Sequence, residues 1–552
     1  MPALKLPAVR PKDAIGYHAS AMRALRWLLA IWLCFLARAF FYCAALPLWE
    51  GYDEWSHFAV VQRMAFRGEP LVSRDSLISR DVAASLELAP VSWECRYLPP
   101  PSATYDDFWR LPPAERARRE SQFRAIPSTW AVEDSTGSLK AYEGLQSPLA
   151  AWILSPVLLA ARHAHLATQV LLLRWFSMAI LSLVIPLTFL TARSVFRHDA
   201  TALGCAAVVA AMPGFLIGIA RVSNEYLAVV LFSLLLWLSV GELTRRRLIS
   251  LGAVLGLGLL AKAYFLAAIP PVAVLLLWKC RRPRALLVPL ATLAIAGWWY
   301  VRNLLTTGTL SGMQESAMQH TAALGAQLGA QIHQATRVPW LVTIDSILFS
   351  HLWLGAWSTL TVRSWMYHLF YLLIALAILG LAFRLSTGAI RILGGFVLAF
   401  WLGQLYHANL LSMVWGIATS LGCYLNAVAA AEVTLCVAGL RALSPRAARR
   451  FVAPAGVALF ALFDFYTLHM VALPYYTGLT AHRPGGPVAA FHPAAANWPE
   501  LLTRLGAFKS PLLSPPGLAA LWLCYAAATL GLVALSFAAA RRESSARETV
   551  GK

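Results

Sequence analysis

Residues 146–161 read Gln-Ser-Pro-Leu-Ala-Ala-Trp-Ile-Leu-Ser-Pro-Val-Leu-Leu-Ala-Ala. Whether this stretch crosses a membrane or lies along its surface sets the sidedness of every later segment. It is short, carries Pro148 and Pro156, and runs into Arg162 and His163. Charge parity decides between the two. If it lies flat, Arg193 and Arg197, then Arg245-Arg246-Arg247, then Lys279, Arg281, Arg282 and Arg284 all fall on one side. If it spans, the last two clusters move to the opposite side. Lys and Arg collect in cytoplasmic loops, so the flat reading is preferred and 146–161 is expected at the interface.

The surrounding chain has 552 residues, 59% hydrophobic and only 13% charged. Soluble chains carry about 25% charge, and long apolar runs recur here from end to end. Such a chain is a polytopic membrane protein. The runs are continuous rather than alternating, which favours helices over an outer-membrane barrel. Loop topology accounts for the net charge of +20, so no nucleic-acid partner is expected. The eight cysteines form no CxxC and no disulfide framework. The histidines show no metal-ligand spacing, so neither a metal nor another cofactor is assigned. There is no P-loop, nucleophile elbow or inverted repeat.

The pattern predicts an all-α fold of about twelve transmembrane helices with both ends in the cytoplasm. Residues 1–23 are a basic cytoplasmic segment, and 24–46 form an uncleaved first span. Residues 47–167 make a large outer loop with interfacial helices. Its part 47–147 holds 15 of the 26 acidic residues and a short solvated helix at 114–124. Spans two to seven fill 168–301, at 168–192, 200–220, 226–243, 248–262, 264–278 and 285–301. A second outer loop, 302–364, has an aromatic part at 340–360 that reads as another interfacial helix. The last five spans occupy 365–540, at 365–383, 392–415, 420–440, 451–473 and 517–540, with a third outer loop at 474–516. Residues 541–552 are a cytoplasmic tail.

Four constellations share the outer face on this topology. The first follows span one directly: Trp49-Glu-Gly-Tyr-Asp53-Glu54-Trp-Ser-His57-Phe58. Neighbouring carboxylates at a low-dielectric boundary repel, so one of them has a raised pKa, which suits general-base work. Helical spacing puts Asp53 and His57 on one face of an amphipathic stretch lying on the membrane. The plainer reading is a solvated loop with Glu54 at a helix start. The second constellation is Arg221, Asn224 and Glu225. The third is Lys262, a lone cation among apolar residues that must snorkel or find an anion. The fourth is Arg302-Asn303, closing Gly297-Trp-Trp-Tyr-Val-Arg-Asn. Singly, each reads as an interfacial anchor; together, Lys262 and Arg302 suit a phosphate or pyrophosphate. Within spans, Glu432 and Asp464 are functional candidates or partners of a nearby arginine such as Arg441.

In this order the motifs resemble the GT-C class of membrane glycosyltransferases, and more narrowly the bacterial relatives of protein O-mannosyltransferases and lipid A aminoarabinose transferases. The matching residues are Tyr52-Asp53-Glu54-Trp-Ser-His57-Phe58, Tyr142-Glu143-Gly-Leu-Gln146-Ser-Pro-Leu149, Ser223-Asn224-Glu225, Gly256-Leu-Gly-Leu-Leu-Ala-Lys262 and Trp299-Tyr300-Val-Arg302-Asn303. They cover roughly the first 300 residues. The family often has His-Pro-Pro-Leu where this chain has Gln146-Ser-Pro-Leu149, and Asn-Asp where it has Asn224-Glu225. Its late Arg-Tyr-Leu-Pro pattern is replaced by Cys423-Tyr424-Leu425-Asn426.

The resemblance implies a GT-C-like fold with an outward-facing site in a bacterial inner membrane. It implies a polyprenyl-phosphate-linked sugar as donor, an inverting transfer, and a lipid, glycan or protein acceptor. Asp53 is then the base, Glu54 and His57 its supports, and Lys262 and Arg302 the holders of the departing lipid phosphate. Tyr142, Gln146, Asn224, Glu225, Arg221 and Asn303 complete the implied substrate-binding set. The rival classes are a transporter of a lipid-linked saccharide and a non-catalytic scaffold of the same fold.

Overall fold

The computed structural model describes residues 11–550 apart from 128–132, 134–138, 281, 314–323, 386, 484–486 and 494–496. Among the described residues helix dominates, and the one two-stranded sheet pairs Pro90–Val91 with Ala103–Thr104 in parallel. Eight helices are long and apolar enough to cross a membrane: Met22–Ala45, Leu166–Phe196, Pro283–Thr307, Ser364–Ala382, Gly388–Trp415, Gly422–Leu443, Arg449–Tyr476 and Pro515–Arg541. Asp199–Ala211 and Pro213–Ile219, bent by 52° at Pro213, make a ninth if taken as one span. The chain is a multi-pass membrane protein. The three remaining expected spans are shorter. Glu225–Val240 has 16 residues and Arg245–Ala261 has 17, about 24–26 Å of helix against a ~30 Å hydrocarbon core. The segment expected at 264–278 opens as a 3-10 turn and continues as Ile269–Lys279.

Outward-facing leucines such as Leu305 (80% exposed) and Leu523 (72%) lie on helices that water would not tolerate bare. Gly422–Leu443 is instead mostly buried, at the centre of the bundle. There Gly439 lets its helix touch Ser364–Ala382, because a Cβ at Gly439 would meet the Ala377 carbonyl oxygen. Small residues at such crossings are how helices pack without a hydrophobic drive.

Residues 149–160 form a helix of 12 residues, about 18 Å long against a ~30 Å hydrocarbon core. It packs against Glu54–Arg67 and the following span. Glu54–Arg67 does not lie bare on the membrane as expected: Glu54, Trp55, Ser56, Phe58, Ala59, Val60, Val61, Gln62 and Met64 are all buried. The first outer loop folds over it, with Gln62 accepting from Ser79 (2.6 Å) and donating to Asp81 (3.1 Å). The helix expected at 114–124 is present as Pro113–Arg124. It is not wholly solvated, since Arg119 and Phe123 are buried and Arg119 donates to the Pro101 carbonyl at 2.7 Å. The aromatic part of the second loop contains the helix Trp340–Leu352.

Candidate active site

The first span ends at Ala45, and the chain turns through two left-handed residues, Trp49 (φ 60°) and Asp53 (φ 55°). Such angles are uncommon for side chains larger than glycine. Gly51 lies between them because a Cβ there would sit 2.4 Å from Arg221 Cβ. The turn is therefore pressed onto Arg221. Asp53 Oδ1 accepts a 2.6 Å hydrogen bond from the Tyr142 hydroxyl. Burial, and then the Asp53 charge, keep the Tyr142 phenol protonated, well above its ordinary titration range. The Asp53 charge also acts on Tyr97, on Arg221 and on Tyr424.

Glu54 corrects the expectation of a carboxylate pair working together. It is fully buried, and its two oxygens take Arg174 Nε at 2.7 Å and Nη2 at 2.5 Å. The Val222 amide adds a third bond at 2.9 Å. Arg174 in turn donates to the carbonyls of Cys43, Leu46 and Pro47. This ion pair ties the turn after span one to the second span; Asp53 and Glu54 serve different partners. His57 is likewise engaged elsewhere, with Nε2 3.5 Å from Glu143. Burial, then Lys262 and Arg221, push its pKa well below the ordinary histidine value, so it is neutral at physiological pH.

The cations converge differently from the expected Lys262–Arg302 pair. Lys262 caps the end of Arg245–Ala261, pairs with buried Glu225, and lies 4.7 Å from the Tyr424 ring centre. The Tyr264 hydroxyl holds the other Glu225 oxygen at 3.3 Å. Arg221 stacks on Tyr52 at 4.6 Å, and its Nε and Nη1 find no hydrogen-bond partner among the described residues. Asn224 donates to Gln146 at 3.3 Å. Arg302 stacks instead on Trp299 at 4.9 Å. Asn303 is buried and donates to the carbonyls of Leu310 and Ser311, pinning that loop. Arg221, not Arg302, is the second cation acting with Lys262 on His57.

Two cavities flank this centre. One, of about 490 Å³, has largely apolar walls, including Leu266, Ala267, Phe400, Leu402 and Leu410, and reaches Lys262, Tyr424, His407 and Gln146. The other, of about 450 Å³, is lined by Tyr52, Glu94, Tyr97, Tyr142, Leu354, Trp357, Thr359 and Leu421. Asp53 binds Tyr142 of the second, and its charge reaches Tyr424 of the first. Among the described residues no group of three or more His, Cys, Asp or Glu is arranged to hold a metal ion.

Sequence reasoning passed over Arg174 and Glu50. Arg174 had a signal, a lone cation within an apolar run. Glu50 had none. It is fully buried and accepts from the Ser358 amide (2.8 Å), the Ser358 hydroxyl (2.9 Å) and Tyr476 (3.3 Å). Burial raises its pKa to about 8. The intramembrane acids are paired. Asp464 binds Arg38 and Tyr525, both at 2.6 Å, and Glu432 faces His351 at 2.9 Å.

No protein-family model and no curated protein matches the chain. Among solved structures it is similar to ArnT and to an archaeal oligosaccharyltransferase. ArnT from Cupriavidus metallidurans bound to undecaprenyl phosphate is 13% identical, with TM-score 0.42, covering 95% of this chain and 77% of that one. The Archaeoglobus fulgidus oligosaccharyltransferase in the apo form is 13% identical, with TM-score 0.42, covering 94% of this chain and 56% of that one.

Proposed function

We propose that the protein is an inverting glycosyltransferase. It moves a sugar from a polyprenyl-phosphate-linked donor to an acceptor at the outer face of a bacterial inner membrane. The observation that supports this reading is that Asp53 is hydrogen-bonded to Tyr142, a wall of the smaller cavity, while Lys262 lines the larger one. The larger one suits a long apolar chain with an anionic end, since its walls are apolar and Lys262 stands at its head. The smaller one lies on the Tyr142 side of Asp53 and admits an acceptor.

The chemistry follows from that order. The acceptor hydroxyl gives its proton to Asp53, and its oxygen attacks the anomeric carbon from the face opposite the phosphate. The carbon–oxygen bond to the phosphate breaks, and its electron pair leaves on the phosphate oxygen. Lys262, aimed by Glu225 and Tyr424, neutralises that developing charge in a dry site, where a fixed cation is most effective. Tyr142 holds the Asp53 carboxylate in place. Glu54 and Arg174 hold the turn on which Asp53 sits. Gln146 and Asn224 line the route between Lys262 and Asp53, while Arg302 and Asn303 shape the loop at Ser311.

The test is purified Asp53→Asn protein given undecaprenyl-phosphate-linked sugars. Donor binding is expected to persist and sugar release to stop. Unchanged release removes Asp53 as the base. Lipid movement across vesicles without sugar release, in the unaltered protein, identifies a transporter instead.

A further inference from the structure

We infer that the smaller cavity, lined by Tyr52, Tyr97, Tyr142, Trp357 and Glu94, binds the acceptor as an uncharged saccharide. This rests on the transferase reading and narrows it to one acceptor class. Three features of the cavity carry the inference.

The walls are aromatic. Four of the eight lining residues are tyrosine or tryptophan, and the negative faces of such rings attract the polarised C–H groups of a sugar ring. Tyr97 is 61% exposed, so its ring is open to a ligand.

The charge has the wrong sign for a phosphorylated acceptor. Among the described residues Glu94 is the only charged side chain lining the cavity, and the Asp53 carboxylate is hydrogen-bonded to Tyr142. Both charges act on Tyr97 and raise its pKa beyond what burial does. Neither neighbouring cation lines the cavity: Arg96 lies 3.5 Å from Glu94 and donates to the Trp93 carbonyl, and Arg221 is buried behind the Tyr52 ring. A carboxylate beside aromatic faces accepts hydroxyl donors and repels phosphate.

The cavity is built, not incidental. Trp357 and Thr359 sit on a short loop whose Ala356 (φ 46°) and Thr359 (φ 50°) are left-handed. Glu50 holds that loop through both Ser358 groups, and its own carbonyl takes the Trp357 amide at 3.1 Å. Three residues later the same strand of chain presents Asp53. One segment thus aims the base and anchors the far wall of the acceptor cavity.

The test uses the full chain in nanodiscs and reads two quantities separately. Binding of maltotriose, mannotriose and chitotriose is measured by tryptophan fluorescence, alongside mannose 6-phosphate and a Ser/Thr-containing peptide. Turnover is measured with undecaprenyl-phosphate-linked sugar as donor. The expected result is saturable binding of at least one neutral trisaccharide. Binding weakens tenfold or more in Trp357→Ala and by a similar factor in Glu94→Gln. No neutral trisaccharide binding, tighter binding of the phosphorylated sugar, or preference for the peptide overturns the inference. Neutral-sugar binding without lipid-dependent turnover would instead retire the transferase reading, so the two failures are distinguishable. An unchanged thermal midpoint and helical circular dichroism signal in Trp357→Ala and Glu94→Gln separate lost sugar binding from loss of fold.

Discussion

The adjacent carboxylates Asp53 and Glu54 give the sharpest test, because the structure assigns them opposite kinds of work. Asp53→Asn removes a charge bonded to Tyr142 at 2.6 Å, and the asparagine carbonyl still accepts that bond. Stability is expected to change by less than about 1 kcal/mol, while turnover is lost. Glu54→Gln strips the charge from Arg174, which is left fully buried with three carbonyl partners and no anion. Breaking one side of a buried ion pair costs about 3–5 kcal/mol. In a chain of this length that corresponds to a fall of roughly 3–4 °C in the thermal midpoint. Intrinsic fluorescence of purified protein during heating measures the midpoint, and donor-dependent sugar release measures turnover. The paired replacement Glu54→Leu with Arg174→Met removes both charges and is expected to recover most of the lost stability. A Glu54→Gln protein with an unchanged midpoint and abolished turnover would refute the argument, since the chemistry would then need Glu54 directly.

Other outcomes follow from the same geometry. Glu50 is neutral in the folded protein up to about pH 8 but ionises near 4.5 when unfolded. The folded state therefore holds the extra proton across that window, and stability falls as pH rises through it, by on the order of 5 kcal/mol in all. Glu50→Gln mimics the neutral acid and should flatten thermal midpoints measured from pH 5 to 9; an unchanged slope would count against the assignment. Removing the Lys262–Glu225 pair together, as Lys262→Met with Glu225→Gln, spares a stranded buried charge and is expected to weaken undecaprenyl-phosphate binding about 10–100-fold. Gly51→Ala forces a methyl group against Arg221 and is expected to cost about 1–3 kcal/mol, with turnover falling alongside; a neutral effect would mean the turn moves freely. Cysteines placed at Glu120, His163 and Arg246 check the sidedness by labelling intact cells. The first two are expected to react, and labelling at 246 from outside would invert the topology.

Much of this was legible in the chain. Apolar runs of spanning length announce a helical membrane protein, because only internally satisfied backbone survives in lipid. Two prolines in a short apolar piece announced the short helix at 149–160. The positions of Asp53, Asn224, Lys262 and Asn303 at segment ends came from the same pattern. Residue types also showed that Asp464 and Glu432 needed partners, but not which ones. Arg38 and Asp464 meet across the bundle, and nothing local in either helix names the other.

The sequence by itself determined that the chain is a multi-pass helical membrane protein and which polar groups stand at the ends of its apolar segments, since hydropathy and capping are local properties. Only the tertiary structure decided how those groups divide the work. It gave Glu54 to Arg174 and Asp53 to Tyr142, turned Arg302 onto Trp299, and brought Arg221 against Tyr52. Those pairings depend on the direction of side chains from segments far apart in the chain. A buried charge takes whichever partner packing brings within hydrogen-bond reach, and packing is not written in any one segment.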